Sequence, residues 1–413
     1  MRMRAAALWI SFIAAHAVVA WLGWVLPNQP MGDVVLVYEP WSTAAVSGGA
    51  VMGITAVWVY PQLALVPMLL ARLLAVPLVP LLGLDQAYLI GWAMLVTLCD
   101  LLGFAVLVGR ARVRRRRAAG WFWTAGLVLL GPIALYRLDA ITVPIAIVGG
   151  LWLARRPAVG AALLTAGAWI KIWPGAIALA AIAAGRRSLR IAVTAAAVSA
   201  ALIVVFFLLG ADQELFGFLT TQNDRGLQIE AVAATPFLWM ASAGAATIDY
   251  SIHILTFQIG APGVEIIASC LTPLMLIAVA AIVALGVWRA RQGAPWQRLL
   301  PPLALALVTA LIVTNKVGSP QFQTWLIAPA ILWIVFDRAR AHIAAALVLM
   351  LCALAFAVYP LTYDGLLHAH VLPIALITLR NVLLILLLVI AVRAAWRVRP
   401  TRVARSAQLT RSR

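Results

Sequence analysis

The chain has 413 residues, of which 65% are hydrophobic and 11% are charged, and its formal net charge is +18. Soluble domains are roughly 45–50% apolar and roughly 25% charged, so this composition excludes an ordinary soluble protein and indicates a membrane protein. The positive charge alone would fit a nucleic-acid-binding protein. Its distribution argues against one, because the arginines stand in short clusters between long apolar stretches.

The arginine clusters follow the positive-inside pattern of membrane proteins. They lie at 110–117, 155–156, 186–187, 289–291, 338–340 and 393–413. Short loops that are rich in arginine stay in the cytoplasm, where anionic lipid headgroups attract them. We therefore predict membrane lipids, and no nucleic acid, as partners of these clusters.

With every cluster on the cytoplasmic side, the sequence predicts an all-α polytopic membrane protein with about twelve transmembrane helices and both termini inside. A helix needs about 20 apolar residues to cross a bilayer. The predicted spans are 6–26, 85–109, 121–136, 140–154, 158–170, 173–185, 190–210, 263–288, 298–314, 322–336, 342–358 and 371–392. The third to sixth are short, so we expect them to be tilted or interrupted. Residues 1–395 are predicted to form one domain and 396–413 a basic cytoplasmic tail.

The region between the first two spans, 27–84, must lie outside in this topology. Its apolar part, 63–82, contains Arg72 and several prolines. Proline interrupts regular helix, and a charged side chain is costly inside the bilayer. We therefore predict interfacial or re-entrant helices in this first outer loop, with residues 211–262 forming a second long outer loop.

This topology places polar residues asymmetrically. Twenty-five of the 31 basic residues fall on the cytoplasmic side, whereas eleven of the 13 acidic residues fall outside. Both lysines of the chain, Lys171 and Lys316, stand at outer helix ends, against the charge rule. Ionisable groups at membrane depth cost a few kcal/mol unless they are paired, so these outer positions are candidates for function.

The first outer loop contains the first candidates. Asp33 could act as a general base at the membrane surface, or it could simply cap a helix or be solvated. Tyr38, Glu39, Tyr60 and Gln62 follow in the same loop and are predicted to contact substrate.

Two shorter outer turns add three charged candidates. Asp139, in YRLDAITVP, could pair with Arg137 or cap the following helix through its free backbone amides. Lys171, in AWIKIWPG, could bind a phosphate. Alternatively, the Lys171 side chain could extend to the membrane interface between its two neighbouring tryptophans, which explains the sequence pattern without a ligand.

Polar residues concentrate in two later outer stretches, TTQNDRGLQIEAVAATP and NKVGSPQ. The candidates are Arg225, Gln228 and Glu230 in the first and Asn315, Lys316 and Gln321 in the second. Donors and acceptors this close together near a bilayer suit a sugar or a lipid phosphate, although each stretch could be ordinary loop chemistry. His368 is a further candidate contact in the last outer loop. With only His370 beside it, a metal site is not indicated, and we predict neither metal nor cofactor.

Taken in order, these elements resemble glycosyltransferase family 87, the polyprenyl-phosphate-mannose-dependent mannosyltransferases of actinobacterial envelopes. The shared order is an outer Asp after the first span, a Tyr-Pro element, R-x-D, K-x-W-P, R-G-L-Q-I-E and N-K-x-x-S-P-Q, over about residues 30–325. The most specific parts are RGLQIE and NKVGSPQ. The chain departs from the family at Val59-Tyr60-Pro61-Gln62, where a Glu-Tyr-Pro-Pro stretch is expected, and this departure makes a divergent acceptor possible.

The resemblance implies a C-type glycosyltransferase architecture in the plasma membrane and inverting transfer of mannose from a lipid-phosphate donor to a glycolipid or lipoglycan. It implies that Asp33 is the base and that the site faces the extracytoplasmic side. By the same resemblance, Arg225, Lys316 and Lys171 hold the phosphate, and Gln228, Glu230 and Asn315 hold sugar hydroxyls. Arg137 and Asp139 would then order the floor of the site.

Two other functions remain open from the sequence. Twelve spans with both ends inside also suit a transporter or lipid flippase, although transporters place coupling charges near the bilayer midplane and often show two similar halves. Within the enzyme class, a C-type transferase could use an arabinosyl or glucosyl lipid instead of a mannosyl lipid.

Overall fold

The computed structural model describes residues 2–109, 111–220, 225–251 and 256–400. It is 77% helical, and in the described residues eight helical stretches are long and apolar enough to cross a membrane. The chain is therefore a predominantly α-helical, multi-pass membrane protein, as the composition predicts. Most of the predicted basic tail, 396–413, lies outside the described residues.

The long α-helices follow the predicted apolar stretches closely. The helices that precede the second outer loop are α1 Arg2–Val25, α2 Glu39–Val46, α3 Leu65–Ala75, α4 Val79–Leu82, α5 Leu84–Val108, α6 Arg114–Leu130, α7 Leu138–Trp152, α8 Pro157–Ala168, α9 Pro174–Ala183 and α10 Ser188–Leu208. The later elements are α11 Gly217–Thr220, α12 Thr235–Ser242, β1 Thr247–Ser251, β2 Thr256–Gly260, α13 Val264–Arg291, α14 Trp296–Val313, α15 Ile327–Phe356, α16 Tyr363–Leu367 and α17 Val371–Trp396.

Helix α15 is two antiparallel arms joined at Asp337, whose backbone leaves the helical region (φ −144°, ψ 67°). A straight helix would separate Ile327 from Leu349 by about 33 Å. Both side chains nevertheless lie against Gly126 of α6: a Cβ there would be 2.7 Å from Ile327 Cδ1 and 3.8 Å from Leu349 Cδ2. The chain therefore reverses at Asp337, between the predicted spans 322–336 and 342–358.

Three short helices, α7, α8 and α9, pack against longer helices. Twelve of the fifteen residues of α7 are buried, and α7 packs on α5, α8 and α15. Helix α9 likewise packs on α8, α13 and α14. Because their neighbours are protein, these helices can be shorter than the bilayer is thick, as the sequence predicts for this region.

The apolar part of the first outer loop, for which interfacial or re-entrant helices are predicted, contains helices α3 and α4. The stretch Gln62–Leu82 is itself long and apolar enough to cross a membrane. It is not one straight helix, because a 3₁₀ turn at Val76–Leu78 joins α3 to α4. Helix α3 lies close against α5 at Gly91, where a Cβ would sit 2.4 Å from the carbonyl oxygen of Ala71.

The second outer loop contains structure that the all-α prediction omitted. Strands β1 and β2 form an antiparallel hairpin with Thr247 opposite Gly260. Together with α12, α16 and the first turns of α13 and α17, the hairpin and the segment 227–231 enclose an apolar cluster of their own. This part of the chain therefore packs as a separate layer beside the ends of the long helices.

Candidate functional site

Charged and aromatic side chains meet where the connections after α1, α2, α6, α8, α11 and α15 converge. We call this group the polar cluster, and it comprises Asp33, Tyr38, Tyr60, Arg137, Asp139, Lys171, Arg225 and Tyr359. Ion pairs, hydrogen bonds, ring contacts and charge interactions connect its members. Seven of the eight are residues that the sequence predicts, so residues far apart in the chain are assembled at one place.

Asp33 and Arg137 form the first ion pair of the polar cluster, with 3.5 Å between Asp33 Oδ2 and Arg137 Nε. The Arg137 side chain is 5% exposed and the Asp33 side chain is 39% exposed. Arg137 is held in place by donating to the Pro30 carbonyl oxygen (3.1 Å) and to the Tyr359 hydroxyl (3.1 Å). Burial lowers the pKa of Arg137, but the negative charge of Asp33 and the interactions with Tyr359 and Tyr38 together outweigh burial and leave that pKa raised. A fixed cation thus stands beside a carboxylate that solvent or substrate can reach.

Asp139 and Lys171 form the second ion pair, at 3.5 Å, with the Asp139 side chain fully buried. Asp139 Oδ1 also accepts a hydrogen bond from Trp325 Nε1 (2.5 Å). Both sequence interpretations of Asp139 are therefore wrong. It does not pair with Arg137, and it does not cap α7, because Trp325 and Lys171 take its carboxylate oxygens.

The Lys171 side chain is 13% exposed and contacts protein groups instead of snorkelling to an interface. Its ammonium nitrogen lies 4.3 Å from the centre of the Tyr60 ring, which provides a cation–π contact opposite Asp139. Burial lowers the pKa of Lys171, but its interactions with Asp139, Tyr60 and Asp33 together outweigh burial, and the pKa is raised above its ordinary value. Lys171 is therefore a permanent cation at neutral pH.

Three tyrosines lie beside the two ion pairs: Tyr38 and Tyr359 are buried and Tyr60 is partly buried. The Tyr38 hydroxyl accepts the Leu138 backbone N–H at 3.2 Å, and the Tyr359 hydroxyl lies within 3.1 Å of the carbonyl oxygens of Asn28 and Gln29. Burial raises the pKa of Tyr38 and of Tyr60. These side chains are therefore neutral phenols, which can donate hydrogen bonds without adding charge.

Arg225 is a third cation at the polar cluster. Its Nε is buried and makes no hydrogen bond with any residue that the structure describes. Burial lowers the pKa of Arg225, and its interaction with Tyr60 acts in the opposite direction. A partly buried cation with an unused, buried donor atom is a suitable partner for an anionic group.

Glu230 is held by a residue that the sequence reasoning missed. Arg380 Nη1 lies 2.5 Å from Glu230 Oε2, and Arg380 Nη2 donates to the Glu230 carbonyl oxygen (2.7 Å). Both side chains are almost fully buried. The sequence does contain a signal for Arg380, because a single arginine in the middle of an apolar helix such as α17 needs an acidic or polar partner.

Other predicted residues of the first outer loop lie beside the polar cluster and have protein partners. Glu39 is buried, pairs with Arg72 at 3.2 Å and accepts a short hydrogen bond from Thr43. Gln62 donates to the Leu215 carbonyl oxygen at 2.8 Å, which ties the first outer loop to the second.

The NKVGSPQ stretch packs through its backbone against residues 228–231. The carbonyl oxygen of Lys316 accepts the N–H of Gln228 (3.0 Å), and Asn315 Oδ1 accepts the N–H of Val317 (2.9 Å). Gly318 lies so close to the 230–231 peptide that a Cβ would be 2.0 Å from the Ala231 nitrogen. Gln321 is buried in the 3₁₀ helix Pro320–Leu326, the element that also carries Trp325.

His368 is a predicted site residue that does not belong to the polar cluster. It lies at the end of α16, its side chain is 67% exposed, and its nearest charged group is Asp364 at 3.7 Å. Among the described residues, no group of three or more His, Cys, Asp or Glu side chains could hold a metal ion.

Comparison with family models, with curated proteins and with solved structures finds no match. The chemistry must therefore be inferred from the polar cluster itself. Its geometry offers one accessible carboxylate that can take a proton, several fixed cations that can hold an anion, and neutral phenols that can bind hydroxyl groups.

Proposed function

We propose that this protein is an inverting glycosyltransferase that moves mannose from a polyprenyl phosphate to a glycolipid or lipoglycan acceptor. The observation that carries the proposal is the accessible Asp33 carboxylate beside the fixed cation Arg137, with Lys171 and Arg225 in the same cluster. The substrate class comes from the resemblance of these elements to glycosyltransferase family 87. The proposal includes twelve spans, a C-type architecture and a site on the extracytoplasmic face of the plasma membrane.

The proposed reaction needs one base and no acid. The Asp33 carboxylate takes the proton of the acceptor hydroxyl, and the freed oxygen forms a bond to the anomeric carbon of mannose. The bond from that carbon to the phosphate oxygen breaks, and polyprenyl phosphate leaves as an anion. Because the leaving group is already stable, cations that neutralise it replace the general acid of a glycosidase.

The cations of the site divide between the two tasks in this proposal. Arg225, Lys316 and Lys171 stabilise the departing phosphate. Arg137 holds Asp33 towards the acceptor. The phenols of Tyr38 and Tyr60 donate hydrogen bonds to sugar oxygens or to the phosphate.

The test is transfer of radiolabelled mannose from polyprenyl phosphate to envelope glycolipids by the purified protein. Removing a general base typically costs about 10²–10⁴ in rate, so we expect Asp33→Asn to lower transfer by at least about 100-fold. The matched control is Asp85→Asn, which neutralises an exposed carboxylate in the first turn of α5. Wild-type transfer by a folded Asp33→Asn protein would remove Asp33 as the base.

A transporter or flippase is the second candidate, and one observation favours it. His16 of α1 and Asp100 of α5 form a buried pair with 3.0 Å between Nε2 and Oδ2, inside two membrane-spanning helices. Transporters place such groups at membrane depth to couple movement to protons or ions. Lipid or ion flux in liposomes that is abolished by Asp100→Asn, together with no mannose transfer by the wild type, would favour this function.

A further inference from the structure

A groove at the arginine-rich end of the bundle lies between α6 and α15, away from the polar cluster. Its volume is about 360 Å³, within the roughly 300–1,000 Å³ typical of ligand pockets. Helix α6 lines it with side chains at helical spacing, Ala118, Trp121, Phe122 and Ala125. Helix α15 lines it with Ile334, Arg338, Ala341, His342, Ala345 and Leu349. One long wall is therefore apolar, and the polar lining residues come only from the α15 side.

The reversal at Asp337 concentrates positive charge at one end of the groove. Arg340 is neutralised by Asp337 at 2.6 Å, and Arg115 donates to the Phe336 carbonyl oxygen (3.3 Å) at the same turn. Arg338 is exposed and makes no ion pair or hydrogen bond with any described residue. His342 uses Nδ1 on the Ala339 carbonyl oxygen (3.1 Å) and keeps its other ring nitrogen available. The groove thus ends at a cation that the protein leaves unneutralised.

We propose that this groove is a binding site for one anionic phospholipid, with the phosphate at Arg338 and His342 and an acyl chain along Trp121, Phe122 and Leu349. An apolar groove that ends at an unpaired arginine complements a molecule with an apolar tail and an anionic head. Basic pockets between transmembrane helices on the arginine-rich side bind anionic headgroups in this way. The site is independent of the proposed transferase activity, because none of its residues belongs to the polar cluster.

Native mass spectrometry of the purified protein with added phosphatidylglycerol or phosphatidylcholine tests the proposal. We expect the wild type to bind phosphatidylglycerol more tightly. One arginine near anionic headgroups contributes about 1 kcal/mol, which corresponds to about a fivefold change in affinity. We therefore expect Arg338→Gln to weaken phosphatidylglycerol binding about fivefold. Ala345→Phe fills the groove and should weaken binding without altering charge. The matched control is Arg291→Gln, which removes an exposed arginine at the end of α13.

Three results would overturn the site. The first is that the wild type binds phosphatidylglycerol and phosphatidylcholine with equal affinity. The second is that Arg338→Gln and Ala345→Phe both bind phosphatidylglycerol as the wild type does. The third is that Arg291→Gln weakens phosphatidylglycerol binding as much as Arg338→Gln does. The last would mean that net charge alone attracts the lipid. A thermal unfolding scan of each variant confirms that it is folded, and Arg338→Lys should restore part of the binding because it keeps the charge.

Discussion

At the scale of single residues, the arrangement of the site depends on which acidic side chain pairs with which basic side chain. The sequence identifies Asp33, Arg137, Asp139 and Lys171 as unusual, because each is an ionisable group at the edge of an apolar stretch. It does not identify the pairing. Spacing suggests Asp139 with Arg137, whereas in the folded chain each carboxylate pairs with the cation of a different turn. Such partners are set by how helices pack, which local sequence does not encode.

Lys171→Met should destabilise the protein strongly. Breaking a buried ion pair by removing one partner costs about 3–5 kcal/mol, because the remaining charge is left without compensation. Asp139 is that remaining charge here, and it is fully buried. We expect a large drop in the melting temperature in detergent. Asp139→Asn combined with Lys171→Met should recover part of it, and a double variant less stable than both single variants would contradict the pairing.

The contribution of Lys171 to stability should persist across neutral and moderately alkaline pH. Its pKa is raised above the ordinary value of 10.5 in the folded protein. A basic group whose pKa is raised on folding stabilises the fold fully at any pH below its pKa in the unfolded state. This stabilisation is lost as the pH rises through its pKa in the folded state. The melting-temperature difference between wild type and Lys171→Met should therefore be constant from about pH 6 to about pH 9. A difference that shrinks within that interval would contradict the assignment.

Glu230 and Arg380 offer a second test of a buried pair, in the layer around the β-hairpin. Arg380→Leu leaves a buried carboxylate and removes the donor to the Glu230 carbonyl oxygen, so we expect a loss of about 3–5 kcal/mol. The matched control is Arg393→Leu, in the last turn of the same helix. Equal melting temperatures for the two variants would mean that the pair contributes nothing. Glu230→Gln combined with Arg380→Leu should be less harmful than Arg380→Leu alone.

At the scale of elements, most of the helices were predictable and the connections between them were not. Apolar length and arginine clusters locate α1, α5, α10, α13, α14 and α17 closely. The sequence predicts a chain reversal near Arg338. It does not predict that the single residue Asp337 makes this reversal, because neither glycine nor proline stands there. The strands β1 and β2 were missed because two five-residue strands inside a long loop give little periodic signal.

Gly318 should be intolerant of any side chain. The NKVGSPQ stretch crosses the 230–231 peptide there, and a Cβ would lie 2.0 Å from a backbone nitrogen, which cannot rotate away as a side chain can. We expect Gly318→Ala to cost about 1–3 kcal/mol, as overpacking does. The control is Gly175→Ala in α9, where the nearest atom to a Cβ is a side-chain carbon at 3.4 Å. Thermal unfolding in detergent measures both, and equal stability would contradict the close crossing.

At the scale of the whole molecule, the distribution of charge predicts which ends of the helices share a side of the membrane. In a protein whose three native cysteines are replaced, we expect single cysteines at Ser47 and Asp364 to react with a membrane-impermeant maleimide on intact cells. Cysteines at Ala339 and Gln292, next to the arginine clusters, should react only after permeabilisation. Labelling of the Ala339 position on intact cells would contradict the proposed orientation.

The three short helices have a consequence for how the protein is made. At about 1.5 Å per residue, the 15, 12 and 10 residues of α7, α8 and α9 extend only about 22, 18 and 15 Å, against a hydrocarbon core of about 30 Å. None of them has the length to leave the translocon for lipid alone. We therefore expect them to remain beside it until longer helices such as α10, which packs on α8 and α9, have been made. Substitutions in these three helices should therefore act during biogenesis, by delaying membrane insertion and exposing the nascent chain to proteolysis.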